Sequence, residues 1–289
     1  MATRPELLAI VGVTASGKSD LSMKVAREFS GEIISADSWT VYKGFDIGTG
    51  KPSAADQKAV RHHLLDVRGP TDGFNAPLFK EMAEKAIKNI QKRGKLPILA
   101  GGTGLYIDSV LYDYGFLPNT STENRAKLNS MSLSKLLERA KVEGVDLTGV
   151  DSRNKRRVVR AIEAGGAKPS KSNLKKGTLI VGLQIDNDQL RRRVEQRTKR
   201  MLNAGLETEV RSLADKYGWD IEPMKGIGYQ QWSEYFDGRQ SLEETKNRLI
   251  SATMNLAKRQ RTWFKRDKNI QWFDSADEAY RFISCTLNT

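Results

Sequence analysis

Lys18 and Ser19 are the residues whose chemistry is most directly legible. They close Gly12-Val13-Thr14-Ala15-Ser16-Gly17-Lys18-Ser19, a G-x-x-x-x-G-K-[ST] pattern. Gly12 and Gly17 let the backbone curl until successive N–H groups face a polyphosphate. Lys18 adds a full positive charge, and the Ser19 hydroxyl is placed to hold Mg²⁺. A second candidate is Asp37, and three readings of it compete: a Mg²⁺ ligand, a general base toward a substrate, or a helix cap together with Ser38. The pair His62-His63 suggests metal, but neighbouring strand residues point to opposite faces, which favours a structural role. One cysteine, Cys285, leaves no disulfide within the chain, and two histidines cannot supply a zinc site of the usual kind.

These groups need elements to position them. The apolar run Leu7-Leu8-Ala9-Ile10-Val11 has strand length and feeds straight into the glycine loop, and a helix-like segment follows from Asp20. That strand–loop–helix context is what a phosphate-binding loop requires. A second apolar strand, 32–36, ends at Asp37. A third, 96–100, runs into Gly101-Gly102-Thr103-Gly104, another glycine loop that opens a helix. No acid ends this third strand, which leaves Asp37 best placed and favours group transfer over nucleotide hydrolysis. Short strands are expected at 62–67, 178–183 and 270–273. Between them, Phe79, Met82, Ala83, Ala86, Ile87 and Ile90 follow helical spacing, as do Leu190, Val194 and Met201. Ser241 and Glu244 form a capping box before a long helix, with Leu242, Leu249, Leu256 and Trp263 at seven-residue intervals on its expected buried side. Strands alternating with helices predict an α/β fold, a P-loop NTPase-like core with a mostly parallel sheet.

The net charge is +13 and the pI about 9.7, a balance suited to a polyanionic partner. Residues 113–176 carry 14 Lys and Arg against 7 Asp and Glu, more than half of the excess. This basic block predicts an all-helical insertion at 113–176 between two core segments, 1–112 and 177–289. Helices are expected at 122–143 and 151–164. In the second, Arg153, Arg156, Arg157 and Arg160 share a face at i, i+3, i+4 and i+7, with Val158, Val159 and Ile162 opposite. Near the C-terminus, Lys258, Arg259, Gln260, Arg261, Thr262, Trp263 and Phe264 interleave bases with aromatics, as nucleic-acid contacts do. No apolar run reaches membrane-span length, and no signal-peptide pattern follows Met1. A cytoplasmic, monomeric protein without membrane attachment is the expectation.

In combination these motifs resemble one family. Gly12-x-Thr14-Ala15-Ser16-Gly17-Lys18-Ser19, Asp37-Ser38, Asp46-Ile47-Gly48-Thr49-x-Lys51-Pro52 and Gly101-Gly102-Thr103-x-Leu105-Tyr106 are similar to the tRNA dimethylallyltransferases. So are Arg160-Ala161-Ile162-Glu163, Arg193-x-Glu195-Gln196-Arg197, Gly226-Ile227-Gly228-Tyr229 and Ala257-Lys258-Arg259-Gln260-x-Thr262-Trp263. The resemblance is to the bacterial type and runs over nearly the whole chain. It implies transfer of a five-carbon prenyl group from dimethylallyl diphosphate to N6 of the adenine 3′ to the anticodon. It also implies that residues 12–19 hold the diphosphate, helped by Arg197 and Mg²⁺ at Ser19, with Asp37 as general base. The implied tRNA contacts are Asp37, Ser38, Trp39, Thr40, Thr103, Arg125, Arg156, Arg157, Val158, Val159, Arg160, Lys225, Gly226, Ile227, Gly228, Tyr229 and Gln230, then Lys258, Arg259, Gln260, Arg261, Thr262 and Trp263. Two positions depart from the pattern: Val13 stands where proline is usual, and Met254-Asn255 where an arginine is usual. The rival expectations are a small-molecule kinase binding ATP in the same loop, a transferase acting on free adenine nucleotides, and an RNA-binding module that does no chemistry.

Overall fold

The computed structural model describes residues 4–117 and 122–288; residues 1–3, 118–121 and 289 of the expected core and insertion lie outside the described residues. Six strands, Leu7–Gly12 (β1), Gly31–Ala36 (β2), His62–His63 (β3), Leu96–Gly101 (β4), Thr178–Leu183 (β5) and Gln271–Phe273 (β6), pair in parallel in the order β3-β2-β4-β1-β5-β6. Every residue of β1 is buried, as a central strand covered on both faces demands. The helices are Lys18–Glu28 (α1), Ala54–Ala59 (α2), Ala76–Lys92 (α3), Gly104–Leu111 (α4), Thr122–Ser130 (α5), Leu133–Val142 (α6), Lys155–Glu163 (α7), Asn187–Asn203 (α8), Leu206–Tyr217 (α9), Ser233–Phe236 (α10), Leu242–Phe264 (α11) and Ala276–Leu287 (α12). This is a P-loop NTPase-like α/β arrangement.

Alternating side chains of the sheet decide what covers each face. Leu8, Ile10, Ile33, Leu96, Ile98, Val181 and Leu183 pack with Leu21 and Val25 of α1 and with Ala279, Ile283 and Leu287 of α12. Beyond the sheet, Trp232, Tyr229, Phe45, Val210 and Leu249 form a second core. It ties α9 and α11 to the segment that follows β2.

The chain divides into two compact units, Met1–Leu111 with Leu174–Thr289, and Tyr112–Asn173. The second unit has its own core of Leu128, Leu136, Ala140, Val158, Val159 and Ile162. Its helical content differs from the expectation. The single helix expected at 122–143 is two, because the Ser132 hydroxyl caps α6 by accepting from the Lys135 N–H, and the break lets Leu128 and Leu136 meet. The helix expected from residue 151 starts at Lys155, capped by Asn154. Arg153 therefore lies outside it, exposed and paired with Asp151 at 3.3 Å.

Two further expectations need correction. The strand expected at 62–67 stops after two residues, because Leu64 and Asp66 take φ of 62° and 53°, a left-handed conformation no strand can hold. The seven-residue stripe on α11 is its buried side only in part, with Leu249 buried and Leu256 and Trp263 half-buried. Leu242 is exposed, and Thr245, Leu249, Ala257, Gln260 and Phe264 face inward, following a 3.6-residue period.

Candidate active site

β1, β2 and β4 are neighbours in a parallel sheet, so the loops that leave their carboxyl ends share one edge. Gly12 ends β1 at φ 151°, and a Cβ there would lie 2.7 Å from the Leu183 carbonyl of β5. Only glycine permits that approach. Gly17 turns at φ 99° into α1, which starts without any side-chain cap, leaving its first N–H groups to the loop. The Lys18 ammonium folds back and donates to the Val13 carbonyl at 3.0 Å. Two arginines of α8 reach the loop from one side. Arg193 donates to the Ser16 carbonyl at 3.0 Å, and Arg197 to the Thr14 hydroxyl at 3.4 Å and the Thr49 carbonyl at 3.2 Å. The Ser16 hydroxyl is buried and has no hydrogen-bond partner among the described residues.

Asp37 follows β2 directly. Its Oδ1 accepts from the Trp39 N–H at 2.9 Å, and residues 38–41 form bends and turns rather than a helix, so the helix-capping reading falls away. Next to it the Thr103 hydroxyl accepts from the Ser38 N–H at 3.3 Å. Gln260 of α11 joins the two glycine loops: its Oε1 accepts from the Thr14 N–H at 2.8 Å and its Nε2 donates to the Gly102 carbonyl at 3.0 Å. Asp37, Lys18, Ser19, Thr14, Trp39 and Arg197 line one cavity of about 670 Å³, whose other walls include Met201, Ile227, Leu249 and Leu256. Ionic groups and apolar surface thus meet in one space.

Burial, with the neighbouring Arg197 charge, pulls the Lys18 pKa down to about 8, opposed by Asp37. Burial also lowers that of Arg197, and Asp37 again opposes it. The two cations and the carboxylate are electrostatically coupled. A second anion beside Lys18 would raise its pKa again.

The loop at 46–52 completes the wall. Glu209 of α9 accepts from three successive N–H groups, Asp46 at 3.2 Å, Ile47 at 2.8 Å and Gly48 at 3.0 Å, and from the Tyr229 hydroxyl at 2.7 Å. Lys51 is buried and spans Asp46 at 2.5 Å, Asp66 at 2.6 Å and the Tyr42 carbonyl at 2.9 Å. Neither Glu209 nor the structural task of Lys51 is visible in the sequence. The histidines are structural, as expected: His63 bonds the buried Glu32 at 2.7 Å and His62 the Val60 carbonyl at 2.8 Å.

The residues expected to meet tRNA divide sharply by accessibility. Arg156, Arg157, Lys225, Gln230, Lys258, Arg259 and Thr262 are exposed, and Ser38, Trp39, Thr103, Ile227, Arg261 and Trp263 half-buried. Val158 and Val159 lie in the core of the second unit, while Thr40, Gly226, Gly228, Tyr229 and Gln260 are buried in the first. In this structure these residues are packed within the fold, Gly226 and Gly228 through their backbone alone. Arg125 and Arg160 are half-buried, and each is engaged within the second unit. Both pair with the fully buried Glu163 carboxylate, and Arg160 also donates to the Leu117 carbonyl at 2.5 Å. The expected stripe of four arginines is thus reduced to Arg156 and Arg157. Arg261 is held by Asn187 at 2.6 Å and the Ile185 carbonyl at 2.9 Å. Among the described residues no helix is long and apolar enough to cross a membrane.

Comparison with known proteins agrees with this geometry. The family model described as IPP transferase matches residues 40–267. A tRNA dimethylallyltransferase of Anoxybacillus flavithermus is 37% identical over 284 residues, covering 94% of this chain and 91% of its own. The crystal structure of the full-length tRNA isopentenylpyrophosphate transferase from Bacillus halodurans superposes with a TM-score of 0.76 at 34% identity, covering 98% and 96% of the two chains. A eukaryotic dimethylallyltransferase acting on tRNA reaches a TM-score of 0.79 at 25% identity, covering 93% of this chain and 73% of its own. With residues 40–267 matched by the family model and 94% of the chain by a relative 37% identical to it, this chain belongs to the IPP transferase family.

Proposed function

We infer that this protein transfers a dimethylallyl group from dimethylallyl diphosphate to N6 of the adenine 3′ to the anticodon in tRNA, releasing diphosphate. The observation that carries the reading is the meeting of Asp37, Lys18 and Arg197 in one cavity that also has apolar walls. An exocyclic amine is a poor nucleophile until its proton has somewhere to go. Asp37 takes that proton as the N6 lone pair bonds to C1 of the prenyl group. The C1–O bond breaks and its electron pair leaves with the diphosphate. Lys18, Arg197 and the N–H groups at the start of α1 stabilise the charge that develops there.

Mg²⁺ suits this site by donor type. Among the described residues no group of three or more His, Cys, Asp or Glu is placed to hold a metal, and Mg²⁺ binds through few protein oxygens together with substrate phosphates and water. Ser19 would hold it, and when bound it adds to the neutralisation of the departing diphosphate. The loop serves the prenyl donor in preference to ATP, since β4 ends at Gly101 with no acid to organise hydrolysis. The target base has to leave its stack to reach Asp37. Arg156, Arg157, Lys258 and Arg259 are the cations offered to the tRNA backbone.

The test is incubation with labelled dimethylallyl diphosphate and unmodified tRNA, then digestion to nucleosides. Label is expected on adenosine N6. Asp37→Asn should lower the single-turnover rate by roughly 10²–10⁴ with substrate binding retained. Near-normal turnover in that variant would remove Asp37 from the chemistry, and tRNA-stimulated cleavage of ATP would favour the kinase reading instead.

A further inference from the structure

The most complete set of hydrogen bonds around the cavity belongs to a residue that never lines it. Glu209 accepts four hydrogen bonds, three of them from the consecutive N–H groups of Asp46, Ile47 and Gly48. Consecutive N–H groups turned to one side form an anion nest, and here the anion is part of the protein. The fourth donor, Tyr229, is fully buried and cannot move away: a Cβ at Gly48 would sit 2.5 Å from its ring, and one at Gly228 would sit 2.7 Å from the Gly48 carbonyl. Burial, reinforced by Glu209, drives the phenol pKa far upward, so Tyr229 stays a donor.

Beyond the nest, the loop tightens on itself. The Gly50 N–H donates to the Ile47 carbonyl at 2.9 Å, the Lys51 N–H to the Asp46 carbonyl at 3.0 Å, and the Thr49 hydroxyl to the Phe45 carbonyl at 2.7 Å. What this rigid turn presents to the cavity is the Thr49 carbonyl, the closer of the two acceptors of Arg197. Gly50 is pressed against the same guanidinium, and a Cβ there would meet its nitrogen at 2.0 Å.

We propose that Glu209 is a positioning residue for the diphosphate site: by filling the nest at 46–48 it fixes the Thr49 carbonyl, and through it the angle at which Arg197 meets the donor's diphosphate. The proposal rests on the function inferred above. Replacing Glu209 with glutamine puts an N–H₂ where Gly48 or Asp46 must donate, so the turn loosens while volume and packing are kept. Residues that orient metal ligands from behind change metal affinity by about 10–100-fold when removed, and on that scale Glu209→Gln should weaken inorganic diphosphate and dimethylallyl diphosphate. The Michaelis constant for tRNA should change little by comparison.

The decisive measurement is calorimetry with inorganic diphosphate on wild type, Glu209→Gln, Arg197→Ala and the double variant. If Glu209 acts through Arg197, its substitution adds nothing once Arg197 is gone. Additive losses in the double variant, or unaltered affinity in Glu209→Gln, overturn the proposal and leave the assigned function standing. Wild type that takes up no diphosphate overturns both. Should Glu209→Gln fail to fold, Tyr229→Phe removes one of the four bonds at nearly constant shape. It must then show a smaller loss of diphosphate affinity that vanishes beside Arg197→Ala, and its absence counts against the proposal equally.

Discussion

Two loops on the same edge of the sheet use the same backbone device to opposite ends. At 46–48 the N–H groups close on Glu209, an acid of the chain itself. At 12–19 three cations, Lys18, Arg193 and Arg197, gather with the carboxylate of Asp37 nearby. Each loop also has a lysine. Lys51 sits between two carboxylates and a carbonyl, whereas Lys18 donates to the Val13 carbonyl and its pKa is pulled down. One loop is neutralised internally and rigid. The other brings its cations to an open cavity, which on the proposed reading receives an anion from outside.

The contrast is broken most severely at Lys18. Lys18→Ala should lower turnover by about 10²–10³, the usual cost of losing one group that meets developing negative charge, and thermal melting should not fall with it. Equal loss in both would make Lys18 a structural lysine like Lys51. The pH dependence sharpens the same point. Below a pH of about 8 the free protein already holds Lys18 charged, so Lys18 adds no pH dependence to diphosphate affinity there. As pH rises through about 8 the lysine of the free protein loses its proton while the bound form keeps it, and affinity should fall by up to about tenfold per pH unit. Calorimetry in buffers of different ionisation enthalpy would register the proton taken up.

Lys51→Met tests the other side. It leaves Asp46, Asp66 and the Tyr42 carbonyl without their shared donor. The two aspartates are partly open to water, so a cost of about 1–3 kcal/mol in unfolding free energy is expected, with a smaller change in turnover than at Lys18. Denaturant titration measures it.

The smallest effect extends the comparison to the second unit, where Arg125 and Arg160 are spent on Glu163 while Arg156 and Arg157 face out. Arg156→Ala with Arg157→Ala should flatten the salt dependence of tRNA binding by about 0.7–0.9 in log–log slope for each phosphate no longer neutralised. Diphosphate binding should be unaffected. An unchanged slope would make these two arginines ordinary solvated charges.

What the sequence reveals and what it hides follow from the range of the forces. β1, the glycine loop and α1 are written in one contiguous stretch, since a buried strand, a positive-φ glycine and a helix start are all local choices. Asp37 and the glycine loop after β4 are legible for the same reason: each ends an apolar run. Glu209 is not. It meets its loop across more than 160 positions, and nothing in the neighbourhood of either partner marks the pairing. Tyr229 and Gln260 belong by motif to the tRNA surface, yet their side chains are buried against Glu209 and Gly102. At Arg125 and Arg160 the sequence offers only charge, and charge does not say that a buried carboxylate is waiting. α9 and α12 are amphipathic helices without a motif, and α9 enters the site only through Glu209, whose partners lie far off in the sequence.

The order of the sheet has a consequence for synthesis. β1 pairs with β4 on one side and with β5 on the other, joining Leu7–Gly12 to Thr178–Leu183. When β4 leaves the ribosome, one edge of β1 still has no neighbour, and it stays so while the whole of Tyr112–Asn173 is made. That unit closes on contacts local in sequence, which form fast, so it can fold while the core around β1 is incomplete. Until β5 emerges, the nascent chain displays an apolar strand edge of the kind that seeks other chains, and the length of the intervening unit sets how long that exposure lasts.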